Sequence, residues 1–148
     1  MDFQPNLEQT LRSLQAGHLS VEDALEQING VKELGYAAID TDRQRRNGFP
    51  EVVYGEGKTV EQIEGILQFL SQKELPILTT RVSLQKGEAL SQRFPTGHYY
   101  PEARCFVLNS KKEEADPEHY IAVVTAGTSD VPVAEEAAVT DRKSTRLN

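Results

Sequence analysis

The residues best suited to chemistry in this chain lie in one glycine- and hydroxyl-rich segment near the C-terminus, Thr125-Ala-Gly-Thr-Ser-Asp130. An apolar run at residues 120–124, typical of a buried strand, precedes the segment, and a helix-like stretch follows it. The first N–H groups of a helix lack partners within the helix and attract anions. The glycine would admit a phosphate to the backbone, the hydroxyl residues would donate to it, and the aspartate would accept from ribose hydroxyls. The candidate ligands of a nucleotide phosphate are therefore Gly127, Thr128, Ser129 and Asp130.

The same residue types also cap ordinary helices, so this segment has a second interpretation. Ser129 or Asp130 would then accept hydrogen bonds from the first N–H groups of the helix, with Pro132 in its first turn. An internal cap of this kind would leave fewer N–H groups for a ligand. The local sequence does not separate the two alternatives.

A second candidate anion site combines basic residues with a glycine loop. Gly55 and Gly57 flank Glu56, and a cluster of arginines precedes this loop. Guanidinium and ammonium groups around such a loop can clamp a phosphate or a carboxylate. The alternative is a tight turn with solvated charges. The candidate ligands of the second anion are Arg43, Lys58 and, at the end of a predicted strand, Arg81.

Composition argues against several classes of function. The net charge of −7 disfavours broad nucleic-acid binding. No run of about 18 apolar residues is present to span a membrane, and the N-terminus lacks the features of a secretion signal, so we expect a cytoplasmic protein. The single cysteine, Cys105, lies in a predicted strand and is expected to be buried and inert. The three histidines have no metal-ligand spacing, and we predict no metal site.

Periodicity and capping signals predict the elements that position these residues. Two helices that end at Gly17 and Gly30 would form a hairpin, and a capping box between Thr59 and Gln62 would open a longer helix. A further helix is predicted at residues 84–93. The predicted strands lie at residues 34–39 (a strand or a close-packed connection), 52–54, 77–82 and 103–108.

These elements predict an α/β fold in two parts. Residues 1–116 would form a small α+β domain, and residues 117–140 would be the first βα unit of a second α/β domain. The charged stretch 111–119 contains Pro117 and is typical of a linker. Residues 141–148 break the apolar pattern of the preceding helix, and we predict that they are a non-native tail.

Two parts of the chain together resemble a known family, the nickel-pincer cofactor biosynthesis protein LarB. The motif Asp40-x-Asp-Arg43, followed by Gly48-Phe-Pro-Glu-Val-Val-Tyr-Gly-Glu-Gly-Lys-Thr59, is similar to the LarB N-terminal domain. Thr79-Thr-Arg-Val82 and Val123-Val-Thr-Ala-Gly-Thr-Ser-Asp-x-Pro-Val-Ala-Glu-Glu-Ala137 resemble the same family. The glycine turn is also similar to the phosphate turn of PurE carboxylases, whose flavodoxin-like fold the LarB C-terminal domain shares.

The resemblance implies a two-part reaction on nicotinic acid adenine dinucleotide. With carbon dioxide or bicarbonate, the pyridinium ring is carboxylated at C5. Hydrolysis of the phosphoanhydride then releases AMP and a pyridinium-3,5-dicarboxylate mononucleotide. In the family a cysteine thiolate adds to the ring and leaves after carboxylation. The resemblance also implies a homo-oligomer, and it leaves the metal requirement open.

The nucleophilic cysteine of the family lies beyond the phosphate turn, whereas Cys105 lies before it and does not inherit the role. We therefore expect a truncated or chimeric chain that is inactive alone and contains neither a catalytic residue nor a cofactor of its own. Two other functions stay open. One is a PurE-type aminoimidazole ribonucleotide carboxylase, against which the N-terminal extension with Phe49-Pro50-Glu51 argues. The other is a non-catalytic ligand-binding or interaction module.

Overall fold

The computed structural model of the protein describes residues 7–40, 51–72, 76–109 and 121–144. Within these ranges the fold is mixed α/β, as predicted from the sequence. The helices are α1 (Leu7–Gln15), α2 (Val21–Asn29), α3 (Val60–Ser71), α4 (Leu84–Arg93) and α5 (Val131–Ser144). The strands are β1 (Val31–Glu33), β2 (Ala38–Asp40), β3 (Val52–Tyr54), β4 (Ile77–Thr80), β5 (His98–Tyr100) and β6 (Cys105–Leu108). A 3-10 turn, Thr128–Asp130, leads directly into α5.

The predicted helical hairpin is confirmed as α1 and α2. The chain turns after α1 at Gly17, whose backbone is left-handed at φ 72°, and Gly30 ends α2 in the same conformation at φ 65°. The Ser20 side chain caps α2 by accepting a hydrogen bond from the N–H of Asp23 at 3.0 Å. Large apolar side chains of the hairpin stay exposed, namely Leu7, Leu11, Val21, Leu25 and Ile28.

Residues 34–39 do not form the single strand or connection predicted for them. They contain the turn of a β-hairpin in which β1 and β2 pair antiparallel, with Val31 opposite Asp40. Leu34 N donates to Ala37 O at 2.8 Å, and Gly35 takes the left-handed conformation at φ 79°. The prediction was wrong because Gly35 marks a turn rather than a close approach between packed elements.

The central sheet has the strand order β3-β4-β6-β5. β3 and β4 are parallel and connected through α3, whereas β6 runs antiparallel to both β4 and β5. The sequence predicted β3 and approximated β4 and β6, but it missed β5. A three-residue strand is too short to show a recognisable alternation of apolar and polar residues. The position of β5 depends on pairing with β6, in which Tyr99 lies opposite Phe106.

Alternation along β4 directs side chains into two hydrophobic layers. Ile77 joins a core with α3 and α4, whose central buried residues are Ile63, Ile66, Leu67, Leu70, Leu90 and Phe106. Leu78 faces the opposite layer, which α5 covers through the buried Val139. The helix that follows the glycine turn therefore packs on the same sheet as the preceding elements, and the predicted boundary near residue 116 lies outside the described residues.

The strand predicted at residues 120–124 does not form in its described part. Residues 121–125 have no strand pairing, and Ile121 and Val124 are 68% and 89% exposed. An apolar run becomes a strand only where a neighbouring strand accepts its hydrogen bonds, and residues 121–125 pair with neither edge strand, β3 or β5.

Helix α5 begins where the sequence predicts but continues further than expected. It extends to Ser144 and so includes the first part of the predicted tail, 141–148. The break in the apolar pattern at Asp141 therefore does not end the helix. Whether these residues are native stays a prediction.

The hydroxyl group of Thr79 gives a direct test of packing in the α3–α4 core. Thr79 is fully buried, and its Oγ1 makes no hydrogen bond in the described structure. Because an unpartnered buried hydroxyl is destabilising, we expect Thr79→Val to raise the free energy of unfolding by about 1 kcal/mol in urea denaturation. The control is Thr80→Val, which makes the same change in strand propensity at a residue that is 9% exposed and whose hydroxyl is not fully buried. An equal gain in both variants would contradict this account.

Candidate functional site

The carboxyl end of the parallel pair β3 and β4 is the edge at which the candidate residues meet. Loops that follow both strands lie here, as do the first turns of α3 and α4, which begin after the capping residues Thr59 and Ser83. In α/β sheets ligands bind beyond the carboxyl ends of the strands. We call this region, which comprises residues 54–58, residue 81, the start of α4 and the segment before α5, the carboxyl edge.

Helix α5 also begins at the carboxyl edge. Its Glu136 lies 3.4 Å from Nε of Arg81, the residue directly after β4. Val139, about 4.5 Å further along the helix, packs in one cluster with Leu78 in the middle of β4. Helix α5 therefore runs in the direction opposite to β4, and its N-terminus lies at or beyond the end of that strand.

The N-terminus of α5 differs from those of α3 and α4 in having no side-chain cap. Gly127 precedes the 3-10 turn in an extended conformation, and no capping hydrogen bond accompanies it. Thr128, Ser129 and Asp130 are exposed, and their side chains make no hydrogen bonds among the described residues. The turn is closed by the backbone alone, since Asp130 N donates to Gly127 O at 3.1 Å. The alternative of an internal side-chain cap is therefore not what the structure contains.

In α3, by contrast, side chains satisfy the first amides. Thr59 Oγ1 accepts from the N–H of Gln62 at 3.2 Å, and the Gln62 side chain accepts from the N–H of Thr59 at 2.9 Å. This is the capping box predicted from the sequence. In α4 the Ser83 hydroxyl accepts from the N–H of Lys86 at 3.4 Å.

Gly55 fixes the glycine loop against the end of β4. Its N–H donates to Thr80 O at 2.8 Å, which extends the parallel pairing by one hydrogen bond. A Cβ atom at Gly55 would lie 2.8 Å from that same oxygen, so no larger residue fits without displacing the loop. Gly57 then turns the chain with a left-handed backbone at φ 77°.

Two lysines bind the carbonyl groups of this loop. Lys58 Nζ donates to Tyr54 O at 2.9 Å, and Lys86 Nζ donates to Gly55 O at 3.1 Å. The sequence had singled out Lys58 but missed Lys86. Lys86 lies three residues after Ser83, at the start of the helix that follows β4. This position could have indicated that Lys86 lies at the carboxyl edge.

Arg81 directly follows β4 and so lies at the carboxyl edge, but a carboxylate already binds it. Its side chain is 40% exposed and forms the ion pair with Glu136, which is 25% exposed. Its backbone is left-handed at φ 56°, an uncommon conformation for a residue with a side chain. Of the predicted second anion site, Lys58 and Arg81 are thus brought to one edge, whereas Arg43 lies outside the described residues.

Tyr54 and Glu56 complete the edge. The Tyr54 hydroxyl donates to the Glu56 carboxylate, and this hydrogen bond raises the pKa of Tyr54 above its ordinary value. The nearby Arg81 opposes the shift and Glu136 adds to it, which places these four groups within electrostatic reach of one another.

Cys105 is buried and inert, as predicted. It is fully covered beneath α5, and its thiol lies 3.3 Å from Ala103 O. Burial, with a smaller contribution from Glu136, raises the pKa of Cys105 to about 12. The thiol is therefore neutral at physiological pH and is not a nucleophile.

Metal ligands do not converge in the parts of the chain that the structure describes, where no group of three His, Cys, Asp or Glu side chains could hold an ion. Among the same residues, no helix combines the length and apolar character that crossing a membrane requires.

Comparison of the sequence with known proteins places the chain in a family. The model of the LarB/PurE-like N-terminal domain matches residues 31–111, a range that includes Lys58, Arg81 and Lys86. The chain belongs to this LarB/PurE-like family. It is 30% identical over 140 residues to an uncharacterised protein of Methanocaldococcus jannaschii, with 89% of this chain and 55% of the relative covered. The chain thus spans about half the length of that curated relative, and the family assignment rests on the domain that contains the loop and both lysines.

The neutral state of Cys105 predicts its reactivity toward alkylating reagents. We expect iodoacetamide to leave the folded protein unmodified at pH 8 and to modify the same residue rapidly in urea. Because a thiol with a pKa of about 12 is almost entirely protonated at pH 8, and is covered as well, we expect labelling of the folded protein to be slower than in urea by about a thousandfold or more. Mass spectrometry gives a direct measurement, since this is the one cysteine in the sequence. Labelling of the folded protein at pH 8 within about tenfold of the rate in urea, or a labelling rate that levels off above pH 9, would contradict a buried thiol with a raised pKa.

Proposed function

We propose that this chain is the N-terminal portion of a LarB-like carboxylase and hydrolase, and that it binds nicotinic acid adenine dinucleotide at the carboxyl edge. One observation carries the proposal. The uncapped N-terminus of α5 and the lysine-bearing loop 55–58 lie at the same end of the sheet in a member of the LarB/PurE-like family. Both features favour anions, and the proposed ligand contains a diphosphate and a carboxylate.

Within this proposal the residues before α5 bind a phosphate and the adjoining ribose. The N–H groups of Gly127, Thr128 and Ser129 are the donors to the phosphate, together with the exposed hydroxyl groups, and Asp130 accepts from the ribose. Lys58 supplies a second cation, with Arg81 behind it in its ion pair with Glu136. Arg43, which precedes the loop in sequence, belongs to the same proposed anion site.

The chemistry proposed for the ligand is carboxylation at C5 of the pyridinium ring and hydrolysis of the phosphoanhydride to release AMP. The described residues contribute binding and orientation to this reaction. Cys105 contributes no nucleophile, because it is sealed within the sheet and protonated. A cytoplasmic location is part of the proposal, because the proposed substrate is an intracellular metabolite. Assembly into a homo-oligomer is also part of it, because the family resemblance implies one.

Removal of one backbone N–H before α5 tests the proposal. The N–H of Thr128 makes no hydrogen bond within the described ranges, and the extended backbone of Gly127 is compatible with a following proline. We therefore expect Thr128→Pro to fold normally and to bind nicotinic acid adenine dinucleotide about tenfold or more weakly, because a charge-assisted hydrogen bond is lost. Isothermal titration calorimetry measures the dissociation constant. Thr128→Ala, which keeps the N–H, is the matched control for the hydroxyl.

The outcomes separate the candidate functions. Unchanged affinity in Thr128→Pro would contradict binding at the α5 N-terminus. Stabilisation by an imidazole ribotide instead of the dinucleotide, measured as a rise in melting temperature, would indicate a PurE-type carboxylase. Indifference to both ligands would indicate an interaction module.

A further inference from the structure

The lysines of the carboxyl edge differ from most basic residues of the described chain in having no acidic partner. Arg12 pairs with Glu8, Lys32 with Glu26, Arg81 with Glu136, and Arg93 with Glu61 and Glu64. No such partner accompanies Lys58 or Lys86 among the described residues, although both are half-buried. In a chain with a net charge of −7, two half-buried cations at one loop without a carboxylate partner in the described ranges are unexpected as a purely structural arrangement.

Both lysines also occupy positions that helix electrostatics disfavours. Lys86 lies in the first turn of α4, which contains no acidic residue, and Lys58 directly precedes the capping residue of α3. The N-terminus of a helix carries partial positive charge, so a cation there is repelled unless an anion is present. The positions of the two lysines therefore raise the positive potential where an anion would bind.

The loop holds both ammonium groups by its backbone carbonyl groups. They donate to the carbonyl groups of consecutive residues, Tyr54 and Gly55, and Gly55 is itself fixed against Thr80. An ammonium group has three N–H donors, and each lysine uses one in a described hydrogen bond. The acidic residue nearest to Lys58 in sequence, Glu56, is engaged by the Tyr54 hydroxyl.

We infer that Lys58 and Lys86 form a diphosphate subsite on the loop Gly55–Lys58, with Lys86 as a binding residue that the sequence did not reveal. The inference rests on the proposed function and refines it by assigning the two lysines to phosphoryl groups and not to the carboxylate of the ligand. Two fixed cations suit a group with several negative charges better than a carboxylate with one. The subsite faces the edge at which α5 begins.

Inorganic pyrophosphate is the probe, because it tests the subsite without the rest of the dinucleotide. By titration calorimetry at low ionic strength we expect Lys58→Gln and Lys86→Gln each to weaken pyrophosphate binding about tenfold, as the loss of one charge-assisted hydrogen bond implies. Lys86→Arg is expected to retain most of the affinity. Lys32→Gln removes a charge that already has a carboxylate partner, and it is the matched control.

Each result supports or overturns the inference. The helix positions lead us to expect that Lys86→Gln loses affinity without losing thermal stability in the absence of ligand. Equal pyrophosphate affinity in the original chain and in Lys86→Gln, or tighter binding of acetate than of pyrophosphate, would overturn the subsite. Should nicotinic acid adenine dinucleotide fail to bind while pyrophosphate binds through both lysines, the proposed function fails and the subsite stands. If the dinucleotide binds but pyrophosphate does not bind through the two lysines, the subsite is wrong and the proposed function stands.

Discussion

The hydrogen bond from Gly55 N to Thr80 O determines the arrangement of the carboxyl edge. It continues the parallel pairing of β3 and β4 past the last strand residue and holds the loop against the sheet without space for a side chain. From that fixed point Lys58 and Lys86 reach neighbouring carbonyl groups, and Arg81 leaves β4 in a left-handed conformation. One backbone contact therefore orders cations that come from two strand–helix connections.

The charged residues at this edge fall into two groups with different roles. Arg81 and Glu136 neutralise each other between the end of β4 and α5, whose uncapped end lies at the same edge of the sheet as the loop. Lys58 and Lys86, in contrast, remain beside positive helix ends without an acidic partner among the described residues. Arg81 and Glu136 thus stabilise the fold, whereas Lys58 and Lys86 are the residues proposed to bind an anion.

Local signals in the sequence predicted the local features of the fold. The capping box at Thr59 and the left-handed Gly17 act within a few residues of the chain. The start of α3 and the end of α1 were therefore predictable. The missed features depend on long-range pairing. β5 exists because β6 lies beside it, and residues 121–124, the described part of the predicted strand, have no strand partner. The site follows the same rule, because the contact of Arg81 with Glu136 and that of Lys86 with Gly55 join residues distant in sequence.

The attachment of α5 has a consequence for local stability. Of its described side chains only Val139 is buried, and its ion pair is partly exposed, so the contacts that hold it are few. Partly exposed ion pairs weaken as salt increases, and an element with little buried surface opens at a lower free energy than the sheet beneath it. The backbone amides of α5 should therefore exchange with deuterium before those of β4 and β6, and sooner at high ionic strength. The protein would then contain two cooperative units, and salt would set how often the smaller one separates.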